Sequence, residues 1–152
     1  MKVYRISKCQ YIDDLSGAGA ATYSGRWHSK GTHILYTAST PSLALLESVV
    51  HIPNIPTPGY CMICLNVPED KIHEIKLADL PDNWYVNPSP DILKSYGDIF
   101  IREKKFFALR LPSAIMSEES NLLLNPNHTD FKKVKVEYKR NIPIDERLLK
   151  NK

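Results

Sequence analysis

Lys2 to Ile6 mixes polar and apolar positions as a short strand does, and His33 to Ala38 carries the β-branched and aromatic residues that favour one. Ser39 or Thr40 then offers an N-cap, with Pro41 suited to the first helical turn. Ser42 to His51 follows with Leu43, Leu46 and Val50 at helical spacing, and Pro53, Pro56 and Pro58 stop it. Tyr60 to Val67 is a largely apolar run that reads as a strand, ended by Pro68-Glu69-Asp70. Leu80 to Ser89 is rich in Pro, Asp and Asn and reads as a loop. Asp91 to Lys105 predicts a helix whose length Gly97 leaves open. Phe106 to Leu111, stopped by Pro112, Asn121 to Leu124 and Val134 to Tyr138 complete the strands. Strands outnumber helices without regular βαβ alternation, so the predicted class is α+β with a mixed or antiparallel sheet.

The chain has 152 residues, 43% of them apolar and 24% charged. One domain spanning 1–152 is the expectation, large enough to bury a core without covalent staples. No apolar run approaches a membrane span, and the N-terminal residues lack the apolar stretch of a signal peptide. An intracellular, cytoplasmic protein without a membrane partner is expected. The net charge of +3 hides an uneven distribution, because from Lys132 onward eight Lys or Arg face three Asp or Glu. This basic C-terminal segment is read as a solvated strand and loop, with docking to an acidic partner as the alternative. No helix-turn-helix or RNA-binding aromatic motif points to nucleic acid.

Cys61-Met62-Ile63-Cys64 spells a C-x-x-C pair, but inside a strand these two side chains point to opposite faces. No second pair completes a zinc site, so Cys9, Cys61 and Cys64 are expected to be structural thiols and no metal is expected. Gly17 and Gly19 open a nucleotide-like motif, but Thr22 stands where a dinucleotide fingerprint needs its last glycine. A turn is the simpler reading of Ser16 to Ala21.

The more informative positions are Gly25-Arg26-Trp27, Tyr36, Glu47 and Pro112-Ser113-Ala114. Arg26 follows a glycine, which lets the backbone beside it approach a ligand, and its guanidinium suits phosphate or carboxylate. Tyr36 offers a ring for stacking. Glu47 falls on the apolar face defined by Leu43, Leu46 and Val50. Either it is a buried carboxylate that needs a partner or a function, or it reaches water from the edge of that face. Ser113 taken alone reads as a turn cap after Pro112.

The ordered set of Ser16-Gly17-Ala18-Gly19-Ala20, Gly25-Arg26-Trp27, Leu35-Tyr36-Thr37-Ala38 and Leu43-Ala44-Leu45-Leu46-Glu47 resembles the RES domain family. Leu80-Pro81-Asp82-Asn83-Trp84, Gly97-Asp98, Leu111-Pro112-Ser113-Ala114 and Asn121 to Pro126 continue the resemblance to about Phe131. The Arg, Glu and Ser that name the family fall here on Arg26, Glu47 and Ser113, while His28 stands where the family pattern leads one to expect Asn. The resemblance implies a fold like that of ADP-ribosyltransferase toxins, with NAD as substrate. It also implies a toxin whose partner is an Xre-type antitoxin.

On that reading Arg26, Glu47 and Ser113 are the candidate catalytic residues, and Gly25, Trp27 and Tyr36 join them in binding NAD. Cleavage of the nicotinamide–ribose bond, by glycohydrolysis or phosphorolysis, is the expected reaction. Two rivals are an ADP-ribosyltransferase that modifies a protein and an inert nucleotide-binding module. Ser113 is expected to position rather than attack, since no His and acid pair is evident to activate it.

Overall fold

The computed structural model describes residues 1–52 and 59–149. The predicted proline stop at Pro53, Pro56 and Pro58 lies outside them. The strands are β1 (Lys2–Lys8), β2 (Leu35–Ala38), β3 (Tyr60–Asn66), β4 (Ile72–Glu74), β5 (Ala108–Pro112), β6 (Ser120–Leu124) and β7 (Lys135–Asn141). The helices are α1 (Ala18–Thr22), α2 (Pro41–Val49) and α3 (Lys94–Glu103), with short 3-10 turns between elements. All strands join one seven-stranded sheet in the order β4-β5-β6-β2-β1-β3-β7. Among the described residues only β4 and β5 pair in parallel, so the sheet is mixed and the fold is α+β, as expected.

The central strands explain the unbroken apolar runs in the sequence. Leu122, Leu123 and Leu124 of β6 are each fully buried, because both faces of the sheet are covered there. Burial of each such leucine contributes roughly 1.5–3 kcal/mol. Leu35, Leu122 and Leu124 point into one cluster with Val3, Ile63, Leu65 and Phe107. Leu123, Leu109 and Leu111 point to the opposite face, where Trp27, Ile34, Trp84, Leu93 and Phe100 cover them. α2 lies on that second face as well, with Leu43 and Ala44 against Ala38, Tyr4 and Ile6.

The sheet is not equally knit throughout. β1 and β3 stay in register from Lys2 opposite Asn66 to Lys8 opposite Tyr60. β1 and β2 share only the pair Tyr4 and Ala38. α2 packs on both strands and bridges this junction.

Several expectations need correction. The helix face drawn through Val50 ends early: α2 stops at Val49, and Val50, its C-cap with backbone angles still helical, is 49% exposed. The glycine-rich stretch is not only a turn, since Ala18–Thr22 forms one helical turn after Gly17, whose φ is 77°. β5 runs through Pro112, which pairs with Ser120 at the strand end where its missing N–H is tolerated. β4 was not anticipated. Cys9 and Cys61 are not separate thiols but form a disulfide, while Cys64 is free and buried. β7 is exposed along its whole length and forms the sheet edge, where its lysines discourage further strand pairing.

Candidate functional site

α2 begins on a sound cap, with the Leu43 N–H donating to Thr40 Oγ1 at 3.1 Å and Pro41 in the first turn. Two turns later it presents Glu47 to the ends of β5 and β6. Glu47 Oε1 accepts from Ser113 Oγ at 2.8 Å and from Asn121 Nδ2 at 2.7 Å. Glu47 Oε2 accepts no hydrogen bond among the described residues. One oxygen of the carboxylate is thus held by protein and the other is left available.

Ser113 is fully buried. Its single proton goes to Glu47, and its oxygen accepts from the Ile115 and Met116 N–H groups, each at 3.1 Å. With its proton held by Glu47 and its oxygen accepting two N–H groups, this hydroxyl positions Glu47 and caps a turn.

Arg26 donates through Nη1 to the carbonyls of Trp84 at 2.7 Å and Val86 at 2.9 Å, tying down the loop between Leu80 and Ser89. Nε and Nη2 make no hydrogen bond among the described residues, so part of the guanidinium fork remains free. Burial lowers the Arg26 pKa, and the nearby Glu47 carboxylate and Tyr36 oppose that shift. No ion pair joins Arg26 to Glu47, yet each lies within the other's field.

Tyr36 stands on β2 beside them. Burial raises its pKa well above the ordinary tyrosine value, against the Trp27 backbone N–H and Arg26, which act in the other direction. Its hydroxyl lies 2.7 Å from His28 Nδ1. Gly25 closes over this pair: a Cβ there would stand 2.7 Å from His28 Cε1 and 3.2 Å from the Tyr36 hydroxyl. The space that glycine provides is thus taken by protein side chains. Trp27 is 3% exposed and packs on Trp84 and Tyr96 with ring centroids 6.2 and 5.9 Å away. It supports the loop that carries Arg26 from below.

The family model of the RES domain matches residues 2–147. The chain belongs to the RES domain family. It is 36% identical over 143 residues to the Prs ADP-ribosylating toxin of Sphingobium sp. (strain YBL2), covering 91% of this chain and 88% of that protein. It is 35% identical over 133 residues to Toxin Res of Yersinia enterocolitica, covering 86% of this chain and 88% of that one. A chain in the crystal structure of the M. tuberculosis MbcT–MbcA toxin–antitoxin complex superposes with a TM-score of 0.73. That match covers 97% of this chain and 86% of the other at 14% identity, and so speaks for the fold.

Within this RES chain the structure also supplies residues that the sequence analysis did not single out. Asn121 was visible only as part of a run, and its bond to Glu47 depends on a partner far away in the chain. Asp98 accepts from Ser29 N at 2.9 Å, Ser29 Oγ at 2.5 Å and Thr32 Oγ1 at 2.8 Å, fastening the segment after Trp27 to α3. Burial alone would raise the Asp98 pKa, but these hydrogen bonds hold it below the ordinary carboxylate value. Among the described residues no cluster of His, Cys, Asp and Glu is arranged to hold a metal ion, and no helix is long and apolar enough to cross a membrane. A concavity of about 590 Å³ between α3 and β4, lined by His73, Tyr96 and Phe106, contains none of the site residues.

Proposed function

We propose that this RES protein is the toxin of a toxin–antitoxin pair and consumes NAD by breaking its nicotinamide–ribose bond. The observation that carries this reading is Glu47, with one oxygen held by Ser113 and Asn121 and the other free within the field of Arg26. Breaking the bond leaves positive charge on the ribose, as in glycoside cleavage, while nicotinamide departs as a neutral molecule with the bonding electrons. Because the leaving group is already cationic in NAD, no strong general acid is required. A fixed carboxylate suits the developing cation and the ribose hydroxyls, and the free face of Arg26 suits the pyrophosphate. Tyr36 supplies a ring for nicotinamide to stack against. An acceptor oxygen, from water or phosphate, then bonds to the anomeric carbon and gives up its proton.

A second reading has support of its own: the Sphingobium relative is named as an ADP-ribosylating toxin. There the acceptor is a side chain of a target protein and the bond broken is the same. An inert nucleotide-binding module has no such support.

The deciding experiment incubates purified protein with NAD, with and without phosphate and with a cell extract, and identifies the products. Free ADP-ribose marks hydrolysis, its phosphorylated form marks phosphorolysis, and labelled protein marks transfer. Unchanged NAD under all three conditions rules the reading out. The partner side, an Xre-type antitoxin, is tested in cells. The chain expressed alone should arrest growth and lower NAD, and co-expression of the neighbouring reading frame should reverse both and yield a complex.

A further inference from the structure

We infer that His28 is a positioning residue that pins the ring of Tyr36 and ties the glycine-rich segment to the site. This rests on the reading of Tyr36 as the ring that receives nicotinamide. His28 is 3% exposed, so both ring nitrogens must be satisfied by protein. Nε2 lies 2.7 Å from the Ala20 carbonyl and 2.9 Å from the Tyr23 carbonyl. Carbonyls only accept, so Nε2 carries the proton. In the neutral ring Nδ1 is then an acceptor, and the Tyr36 hydroxyl, 2.7 Å away, donates to it. The one phenolic proton of Tyr36 is thereby committed to His28. Tyr36 therefore acts toward a ligand through its ring and not as an acid.

The surroundings hold His28 from three directions. The turn of α1 and the residue after it aim the Ala20 and Tyr23 carbonyls at Nε2, which gives the glycine-rich segment a task without any nucleotide. Gly25 leaves the space that the imidazole and phenol occupy. On the far side Asp98 grips Ser29, the very next residue, by backbone and hydroxyl. An imidazole held this way is a rigid strut between a loop and β2. Asparagine can set its Oδ1 where Nδ1 lies and so keep an acceptor for the Tyr36 hydroxyl.

The test is a double-mutant cycle on the purified chain with NAD. His28→Leu keeps apolar volume and removes the Tyr36 bond together with those to the Ala20 and Tyr23 carbonyls, and Tyr36→Phe removes the Tyr36 bond alone. Each should raise KM for NAD by about tenfold, the loss expected of roughly 1.4 kcal/mol in binding, with a smaller change in kcat. The double variant should be no worse than His28→Leu alone, because that change already removes the contact that Tyr36→Phe removes. His28→Asn should restore KM close to the parent. Effects that multiply in the double variant would overturn the proposal, as would a failure of His28→Asn to rescue. Ring-nitrogen NMR of labelled histidine gives a readout apart from turnover. The His28 signal should show a protonated Nε2 and a bare Nδ1, and Tyr36→Phe should move Nδ1 and spare Nε2. A protonated Nδ1, or no movement, would refute the contact. If the parent protein turns over no NAD, the NAD reading falls while these shifts still decide the His28–Tyr36 bond. Should His28→Leu fail to fold, Tyr36→Phe and its ring shifts decide alone.

Discussion

At the scale of single residues, Glu47 is where charge and geometry meet. Glu47→Gln keeps a carbonyl oxygen for Ser113 and Asn121 to donate to, so the fold should hold. The negative charge is lost, and kcat for NAD cleavage should fall roughly 100-fold or more while KM changes little. Steady-state kinetics beside a thermal melt checks this, and a folded variant at the parent rate would end the mechanism. Arg26→Lys keeps the charge but cannot both bridge two carbonyls and present a planar fork, so it too should lose turnover. Ser113→Ala should behave differently. It removes the acceptor of the Ile115 and Met116 N–H groups in a turn whose residues are exposed, so water can replace it and the cost is about 0.5–1.5 kcal/mol of stability for each bond. Asn121 still holds Glu47, so turnover should fall less than in Glu47→Gln; urea melts and kinetics on one preparation separate the two effects. Glu47 stood out in the sequence as a carboxylate among apolar neighbours on a helix. That pattern left burial and the edge of the face equally open until the family resemblance singled it out; the structure leaves it half-buried. The work of Ser113, Asn121 and His28 was not legible there, since each is defined by a partner on another element.

Among the elements, α3 shows how a two-residue motif acts at a distance. Gly97 is buried where the Trp27 carbonyl crosses the helix, and a Cβ there would overlap that carbonyl. Gly97→Ala must push the Trp27 segment away, and overpacking of this kind costs typically about 1–3 kcal/mol. A lowered urea midpoint together with weaker NAD turnover is expected, because Arg26 follows the same segment. Asp98, the next residue, should write its mark on pH. Its folded carboxyl titrates below the unfolded one, so its stabilising contribution is present above the ordinary carboxylate range. That contribution is lost as pH falls through the folded value. Asp98→Asn should therefore flatten the acid side of the stability curve, as urea midpoints at stepped pH would reveal. The apolar runs of β3 and β6 were readable because both faces of the sheet are buried there. β4 was not, being three residues long and dependent on β5 for its pairing. α1 hid among glycines and alanines whose local pattern suits a turn equally well.

Across the whole molecule, the fold class followed from the count and spacing of strands, whereas their order in the sheet did not. Pairing of β1 with both β2 and β3 is a tertiary choice that no local pattern records. The same is true of the Cys9–Cys61 link, which closes a separation of 52 residues between the turn after β1 and the neighbouring strand β3. Cys61 belongs to the cluster on the sheet face opposite Tyr36 and α2. Cys9→Ser should thus leave NAD turnover intact while lowering stability in oxidising buffer by up to about 4 kcal/mol, the chain-entropy value for such a loop. In reducing buffer parent and variant should melt together. The narrow junction between β1 and β2 has a wider consequence. Where backbone bonds are sparse, α2 serves as a splint, and the residue that the splint carries is Glu47. The seating of the carboxylate is therefore governed by side-chain packing, which weakens on cooling as apolar hydration becomes less costly. In a sheet fully laced at this seam, temperature would have far less leverage on the site.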